Sequence, residues 1–210
     1  MQFGSKITKI SLFFLSTVTA VSSFPVLASG QEISPKSTMN QSILTGNFKE
    51  AYQTAEKEAE NGDLEAQFNL ALFYYHGIGV PQNFEYALRW ANLSALQGFK
   101  KASSARPPIM EKLQPDTVQA AMTWVRQRLT KAAEEGDNIA LVMLSNSFAT
   151  EFGFGDPKES YYWASLAVAS GRTEAKRRRD ALVKDLKAAD FKEVQDRSVE
   201  WFAKFRKSSS

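Results

Sequence analysis

The sequence predicts an all-α protein: an α/α solenoid of antiparallel helical hairpins, with about nine helices in a right-handed superhelical stack. Three observations support this fold class. Apolar residues recur at helical spacing along the chain, and no convincing segment shows the alternation of a β-strand. Glycine, proline, asparagine and aspartate divide the chain into helix-sized segments. A long internal repeat is typical of proteins that stack helical units.

The repeat is clearest in two nonapeptides that lie 73 positions apart, at residues 90–98 and 163–171. Both read Trp-Ala-x-Leu-small-x-x-x-Gly. The alignment extends on both sides, and one residue deleted from a glycine-containing loop accounts for a change of shift from 74 to 73. The aligned pairs are Gly62 with Gly136, Asp63 with Asp137, Ala66 with Ala140, Leu70 with Leu144, Ala102 with Ala175, Arg106 with Arg179, and Leu113 with Leu186.

Start and stop signals place the helices in order. Asn47 and Asp63 precede the first two helices as capping residues, and Gly62 ends the first. Gly77 and Gly79 allow the backbone to turn after the second helix, because glycine adopts positive φ at little cost. The nine predicted helices cover 48–60, 64–76, 84–97, 99–113, 115–135, 138–150, 157–170, 173–187 and 190–206.

Prolines shape the middle of the chain. Pro107 and Pro108 are expected to kink or split the helix at 99–113, because proline lacks the backbone N–H and clashes with the preceding turn. Pro115 is well placed as the first residue of the next helix. The last helix, 190–206, is expected to cap the array.

Residues 1–28 have the features of an export signal. Lys6 and Lys9 form a positive n-region, an apolar stretch follows, and Ala28 ends a segment that a signal peptidase would recognise. An uncleaved anchor is the alternative, and the scattered Ser and Thr residues and Pro25 weaken it. The sequence therefore predicts a cleaved signal peptide, a periplasmic or secreted protein, and no stable membrane span after cleavage.

The charge of the chain is close to balanced once the signal is set aside. The full chain has 26 basic and 23 acidic residues; removing the two lysines of the signal leaves 24 and 23, a net charge of +1. Residues 172–210 carry the surplus of basic groups, which we interpret as a solvated helix face rather than a surface for an acidic partner. The chain contains no cysteine, so disulfides and a lipidated N-terminal cysteine are both excluded.

The domain organisation follows from these segments. A flexible polar leader is expected over 29–46, a helical repeat domain over 47–206, and a frayed tail over 207–210. Within the domain, repeats are expected near 62–102 and 136–175, with helical spacers over 102–135 and 175–206.

The first repeat resembles a Sel1-like repeat, a unit related to tetratricopeptide repeats with a helix–loop–helix form and a Gly-x-Gly-Val loop. The residues that carry the resemblance are Gly62, Asp63, Ala66, Gln67, Leu70, Tyr74, Gly77, Ile78, Gly79, Val80, Pro81, Ala87, Trp90, Ser94, Ala95, Gly98 and Ala102. The second copy is degraded: Gly153 and Gly155 remain in its loop, but Glu151 stands in the place of the first glycine.

The resemblance implies a bacterial adaptor, because Sel1-like proteins usually bind other proteins. With the export signal, it implies a protein that binds another protein or peptide in the cell envelope and scaffolds or regulates it. One alternative is a secreted effector that engages a host protein. A less favoured alternative is an envelope hydrolase or a cell-wall-binding factor; the resemblance links that activity to a branch with paired cysteines in each repeat, and this chain has no cysteine.

No catalytic constellation, cofactor site or metal site is predicted, and the chain is not expected to be an enzyme. His76 is the only histidine, which excludes a His-pair metal site and leaves few options for a Ser-His-Asp triad; we expect it to face solvent or end a helix. The loop from Gly77 to Gly79 lacks the preceding strand and the third glycine of a nucleotide-binding loop. A net charge near zero argues against nucleic-acid binding.

The aromatic residues give the one hint of a binding surface. Tyr74, Trp90 and Trp163 hold the packing positions of the repeat and are expected in the core. Four tyrosines next to packing positions must face other directions, and tyrosine is enriched where partners dock. The predicted partner-binding residues are Tyr75, Tyr86, Tyr161 and Tyr162.

Overall fold

A computed structural model describes residues 35–153 and 155–206, and these residues form helices and turns without a β-strand. This confirms the all-α fold class. The predicted signal peptide (1–28), the first residues of the predicted leader and the predicted tail (207–210) lie outside the described residues. The helices are α1 (Pro35–Leu44), α2 (Phe48–Glu60), α3 (Leu64–His76), α4 (Phe84–Leu96), α5 (Lys100–Met110), α6 (Pro115–Glu134), α7 (Asn138–Ser147), α8 (Pro157–Ala169), α9 (Lys176–Leu182) and α10 (Ala188–Arg206).

The 73-residue period corresponds to a unit of four helices rather than to a single hairpin. In the first unit, α4 packs against α3, α5 and α6; in the second, α8 packs in the same way against α7, α9 and α10. The long helix α6 starts at residue 115 and α10 at residue 188, a difference of 73. The segments predicted as spacers are therefore structural parts of each unit, and α10 completes the second unit.

Small residues allow the helices to approach closely. Ala51, Ala55 and Ala59 are fully buried on one face of α2, as their spacing of four predicts. In the hairpin α3–α4, the hydroxyl of Ser94 donates to the carbonyl oxygen of Leu64 at 2.6 Å. Such a bond satisfies a buried hydroxyl and fixes the register of the two helices.

Side-chain caps start four of the helices, α3, α4, α7 and α8. Asp63 accepts a hydrogen bond from the backbone N–H of Ala66 at 2.8 Å, as a capping residue does. The predicted cap at Asn47 is wrong: the side chain makes no capping bond, and its amide instead donates to the Glu50 carboxylate at 2.6 Å.

The loop between α3 and α4 needs its two glycines for different reasons. Gly77 ends α3 in the left-handed conformation, with φ of 67°. Gly79 also has positive φ, and a Cβ atom built there would lie 2.2 Å from the carbonyl oxygen of Phe48. Since no real Cβ comes so close, only glycine lets this loop lie on the start of α2.

Residues 35–44 form a helix, so the prediction of a flexible leader is wrong for this part of 29–46. Met39 and Ser42 are buried. Met39 belongs to an apolar cluster with Ala51, Ala55 and Phe73. These tertiary contacts stabilise a segment whose own sequence shows no helical periodicity.

The tandem prolines do not split α5, which is one helix across Pro107 and Pro108 and ends at Met110. The carbonyl groups deprived of an N–H partner are those of Ser103 and Ser104, both exposed residues, so water can satisfy them. The segment predicted as one helix over 173–187 is instead α9 flanked by two short 3₁₀ turns.

A buried arginine joins the two units. Arg106 is 8% exposed; its Nε donates to Asn92 Oδ1 at 2.6 Å and its Nη1 to the Glu151 carbonyl oxygen at 3.2 Å. The guanidinium lies 4.1 Å from the ring centroid of Phe152. Burial lowers the pKa of Arg106, yet arginine stays charged in proteins. The aligned Arg179 of the second unit instead pairs with its neighbour Asp180.

No helix among residues 35–153 and 155–206 is both long and apolar enough to cross a membrane.

Candidate partner-binding groove

An apolar groove of about 640 Å³ lies between α3 and α5. Both helices pack against α4, which holds them side by side in the same direction because each is connected to it by a short loop. The groove is lined by Phe68, Leu72, Tyr75 and His76 of α3 and by Lys100, Lys101, Ser104, Ala105, Pro108 and Ile109 of α5.

The α3 wall is a stripe of large apolar side chains. Phe68, Leu72 and Tyr75 follow one another at spacings of four and three, which places them on one face of the helix. Neighbouring rings hold the wall in place: Phe68 lies edge-on to Phe99 with ring centroids 5.5 Å apart, and Tyr75 lies 5.4 Å from Phe84. Phe68 and Leu72 are only 6% and 8% exposed, so they form the apolar base of the wall, and Tyr75, which is half-buried, forms its accessible part.

The α5 wall is built from shorter side chains. Ser104 and Ala105 stand opposite the aromatic stripe, and they leave the space that a large residue would fill. Ser104 and Pro108 are exposed, whereas Ile109 is buried at the floor. A cleft of this kind is the first candidate for a binding site, because it offers apolar surface without the cost of opening a core.

The two ends of the groove differ in charge. Lys100 and Lys101 lie in the first turn of α5, which contains no acidic residue. Neither lysine forms an ion pair with any residue in the described part of the chain. At the other end, partial burial lowers the pKa of His76, which favours the neutral imidazole at physiological pH.

The second unit lacks these features. At the alignment shift of 74, Phe68 and Leu72 correspond to Val142 and Asn146. At the shift of 73, the two lysines correspond to Thr173 and Glu174, and Ser104 corresponds to Arg177. The apolar wall and the basic end are thus properties of the first unit alone.

The four predicted tyrosines fall in different environments. Tyr75 lines the groove. Tyr86 is 41% exposed on α4, where it packs on Tyr74. Tyr161 and Tyr162 are only 7% and 5% exposed, so they do not offer the docking surface expected of them.

The reason for the burial of Tyr161 and Tyr162 is α10. Tyr161 packs on Phe191, with ring centroids 5.2 Å apart, and the Arg197 guanidinium lies 4.3 Å from the Tyr162 ring. Desolvation raises the pKa of Tyr162 to about 12. A role in partner binding stays a prediction for Tyr75 and Tyr86.

Two of the three predicted packing residues, Trp90 and Trp163, are buried, whereas Tyr74 is only partly buried at the edge of the core, where its hydroxyl lies 3.0 Å from that of Tyr52. Trp90 and Trp163 are 6% and 8% exposed. Each meets a second tryptophan edge-on, Trp90 with Trp124 at 5.9 Å and Trp163 with Trp201 at 6.4 Å between ring centroids. His76 lies at the end of α3 as predicted, with part of its side chain exposed to solvent and part desolvated against the groove.

Sequence reasoning missed the α5 wall. Its signal was present in the small residues at helical spacing and in two lysines at a helix start, where the helix dipole disfavours cations.

No group of three or more His, Cys, Asp or Glu side chains in residues 35–153 and 155–206 is placed to hold a metal ion.

Comparison with known proteins identifies the repeats. The family model of the Sel1 repeat matches residues 64–99 and 140–171. No match is found among characterised protein sequences.

Two solved structures are similar to the chain. One is a protective antigen of uropathogenic Escherichia coli strains with an SLR fold, at 23% identity and a TM-score of 0.34; the alignment covers 74% of this chain and 41% of that protein. This chain thus spans about two fifths of the length of that antigen. The other is a Sel1 repeat protein from Oxalobacter formigenes, at 19% identity and a TM-score of 0.33, with 80% of this chain and 88% of that protein covered.

Proposed function

We propose that this chain, a Sel1-repeat protein with two copies of the repeat, is an exported adaptor that binds another protein of the cell envelope through the groove between α3 and α5. The Sel1 fold generally mediates protein–protein interaction. The observation that carries the proposal is the apolar groove of about 640 Å³ in the first unit.

The groove has the properties of a recognition site. Its walls contribute apolar area, which drives association, and the nearby Lys100 and Lys101 give a partner a charge to align with. Tyr75, which is only half-buried, supplies an aromatic contact with little conformational entropy to lose. The second unit, which lacks the wall and the lysines, then serves to brace the first through Arg106.

The predicted export signal is the reason for proposing an envelope location. Residues 1–28 combine a positive n-region with an apolar stretch and a small residue at the expected cleavage site. Cell fractionation tests this part: the adaptor hypothesis predicts a shortened chain in the periplasm, whereas recovery mainly from the culture medium would favour the secreted effector. A chain found only in the cytoplasm would contradict both.

Site-directed photo-crosslinking in cells tests the binding site. A photoreactive phenylalanine analogue at Ser104 lies in the groove, whereas the same analogue at the exposed neighbour Ser103 lies outside it. We expect one dominant envelope protein to be crosslinked from position 104 and much less from position 103. Equal products from both positions, or none from position 104, would contradict binding through the groove.

A further inference from the structure

We infer, on the premise that the groove binds a partner protein, that it recognises an acidic polypeptide segment: apolar side chains enter between α3 and α5 while Asp or Glu side chains meet Lys100 and Lys101. The partner segment then lies in one direction along the groove, with its acidic residues at the lysine end. Three features of the first unit lead to it.

The first feature is the placement of the two lysines. The start of a helix carries partial positive charge, so acidic residues are favoured there and lysines are not. In α5 the first turn holds two lysines and no acidic residue, and no ion pair within the described residues offsets their charge. A carboxylate bound there would be attracted by both ammonium groups and by the free N–H groups of the helix start.

The second feature is the apolar wall next to this charge. Phe68 reaches the lysine end, since its ring contacts Phe99, the residue just before Lys100. From Phe68 to His76 the wall spans eight helical steps, a length of about 12 Å. That length accommodates about two turns of a helical ligand or three to four residues of an extended one.

The third feature is the difference in charge between the two ends of the groove. The carboxylates of the ligand are expected at the Phe68 end, where the lysines lie, and its apolar residues toward Tyr75 and His76. The imidazole of His76, whose pKa is lowered by partial burial, adds little positive charge at neutral pH. The partner is thereby oriented along the groove.

The second unit provides an internal comparison. The lysine positions correspond to Thr173 and Glu174 there. Arg178 of α9 already faces the Glu151 carboxylate at 3.7 Å. A segment that binds by its carboxylates thus has a site in the first unit and none at the equivalent place in the second.

Peptide selection tests the inference on the purified full chain. A phage-displayed library of random peptides of about 16 residues, long enough to cross the groove, is selected on the wild type after depletion on the Ser104→Trp variant. Tryptophan at this exposed position fills the groove without removing a core side chain. We expect the enriched peptides to carry two or three apolar residues beside Asp or Glu.

Charge reversal then tests the role of the lysines. The double variant Lys100→Glu, Lys101→Glu should weaken binding of an enriched peptide about tenfold or more, and high salt should weaken the wild-type complex. Both lysines are exposed, so folding should be unaffected, and circular dichroism checks this. Ser103→Trp on the same helix and Arg177→Trp at the equivalent place in the second unit are the matched controls, and both should bind normally.

The outcomes separate the inference from the proposed function. Some peptides could bind wild type but not Ser104→Trp and yet lack acidic residues, or bind the charge-reversed variant as well as wild type. Such peptides would overturn the recognition of an acidic segment and leave binding in the groove in place. If no selected peptide loses binding in the Ser104→Trp variant, both the acidic specificity and the use of the groove as a binding site are overturned. Dodecanoate binding that depends on the lysines, without any enriched peptide, would instead identify the groove as a site for a small anionic amphiphile.

Discussion

Replacing Arg106 with methionine is expected to destabilise the protein by about 2–4 kcal/mol. The change removes the charged hydrogen bond to Asn92, and such bonds contribute about 1.5–3 kcal/mol. It also leaves the Asn92 amide oxygen, on a residue 1% exposed, without its donor, which costs about 1–3 kcal/mol. Relief from burying the guanidinium offsets part of the loss, because burial already lowers the pKa of Arg106.

Urea unfolding followed by helical circular dichroism measures this loss. The matched control is Arg179→Met, which alters the aligned residue of the second unit. Arg179 bonds the adjacent Asp180 on the surface, so its replacement should change stability far less. Added salt should leave the stability difference between wild type and Arg106→Met unchanged, since the contacts that are lost are buried. Equal losses for the two variants, or no loss for Arg106→Met, would refute the conclusion that the buried contacts of Arg106 stabilise the fold.

Three further predictions test the packing. Gly79→Ala should destabilise more than Gly62→Ala by about 1–3 kcal/mol, because both have positive φ but only Gly79 lies against the first residue of α2; equal thermal shifts would contradict this. Trp90→Ala and Trp163→Ala should each cost about 3–5 kcal/mol in urea unfolding, and a wild-type transition would show that the ring faces solvent. Desolvation raises the pKa of Tyr162 to about 12 in the folded protein, above the ordinary tyrosine pKa near 10. The folded state therefore favours the neutral phenol, and this contribution to stability is complete below about pH 10 and is lost as pH rises toward 12. Wild type should therefore lose stability over that range relative to Tyr162→Phe, and parallel pH profiles would exclude the effect.

The helical hairpins were predictable because their boundaries are set by local chemistry. Gly77 ends α3 and Asp63 caps it, and both effects depend on a few adjacent residues. The repeat then fixed which segments are equivalent. Helix α1 was not predictable in the same way, because the burial of Met39 depends on α2 and α3, which follow it in the chain.

The groove was only partly visible in the sequence. Tyr75 was selected for its position beside a packing residue, but Ser104 and Ala105 acquire meaning only when α5 lies beside α3. Tyr161 and Tyr162 were misassigned for a related reason. Their exposure depends on α10, whose place against α8 follows from the four-helix unit and not from the local pattern.

Affinity measurement between the purified chain and the envelope protein crosslinked from position 104 tests the central claim most directly. Wild type and Ser103→Trp should bind that protein with the same affinity, whereas Ser104→Trp, which fills the groove, should lose most of the binding. Unchanged affinity of a correctly folded Ser104→Trp variant would show that the groove between α3 and α5 is not the binding site.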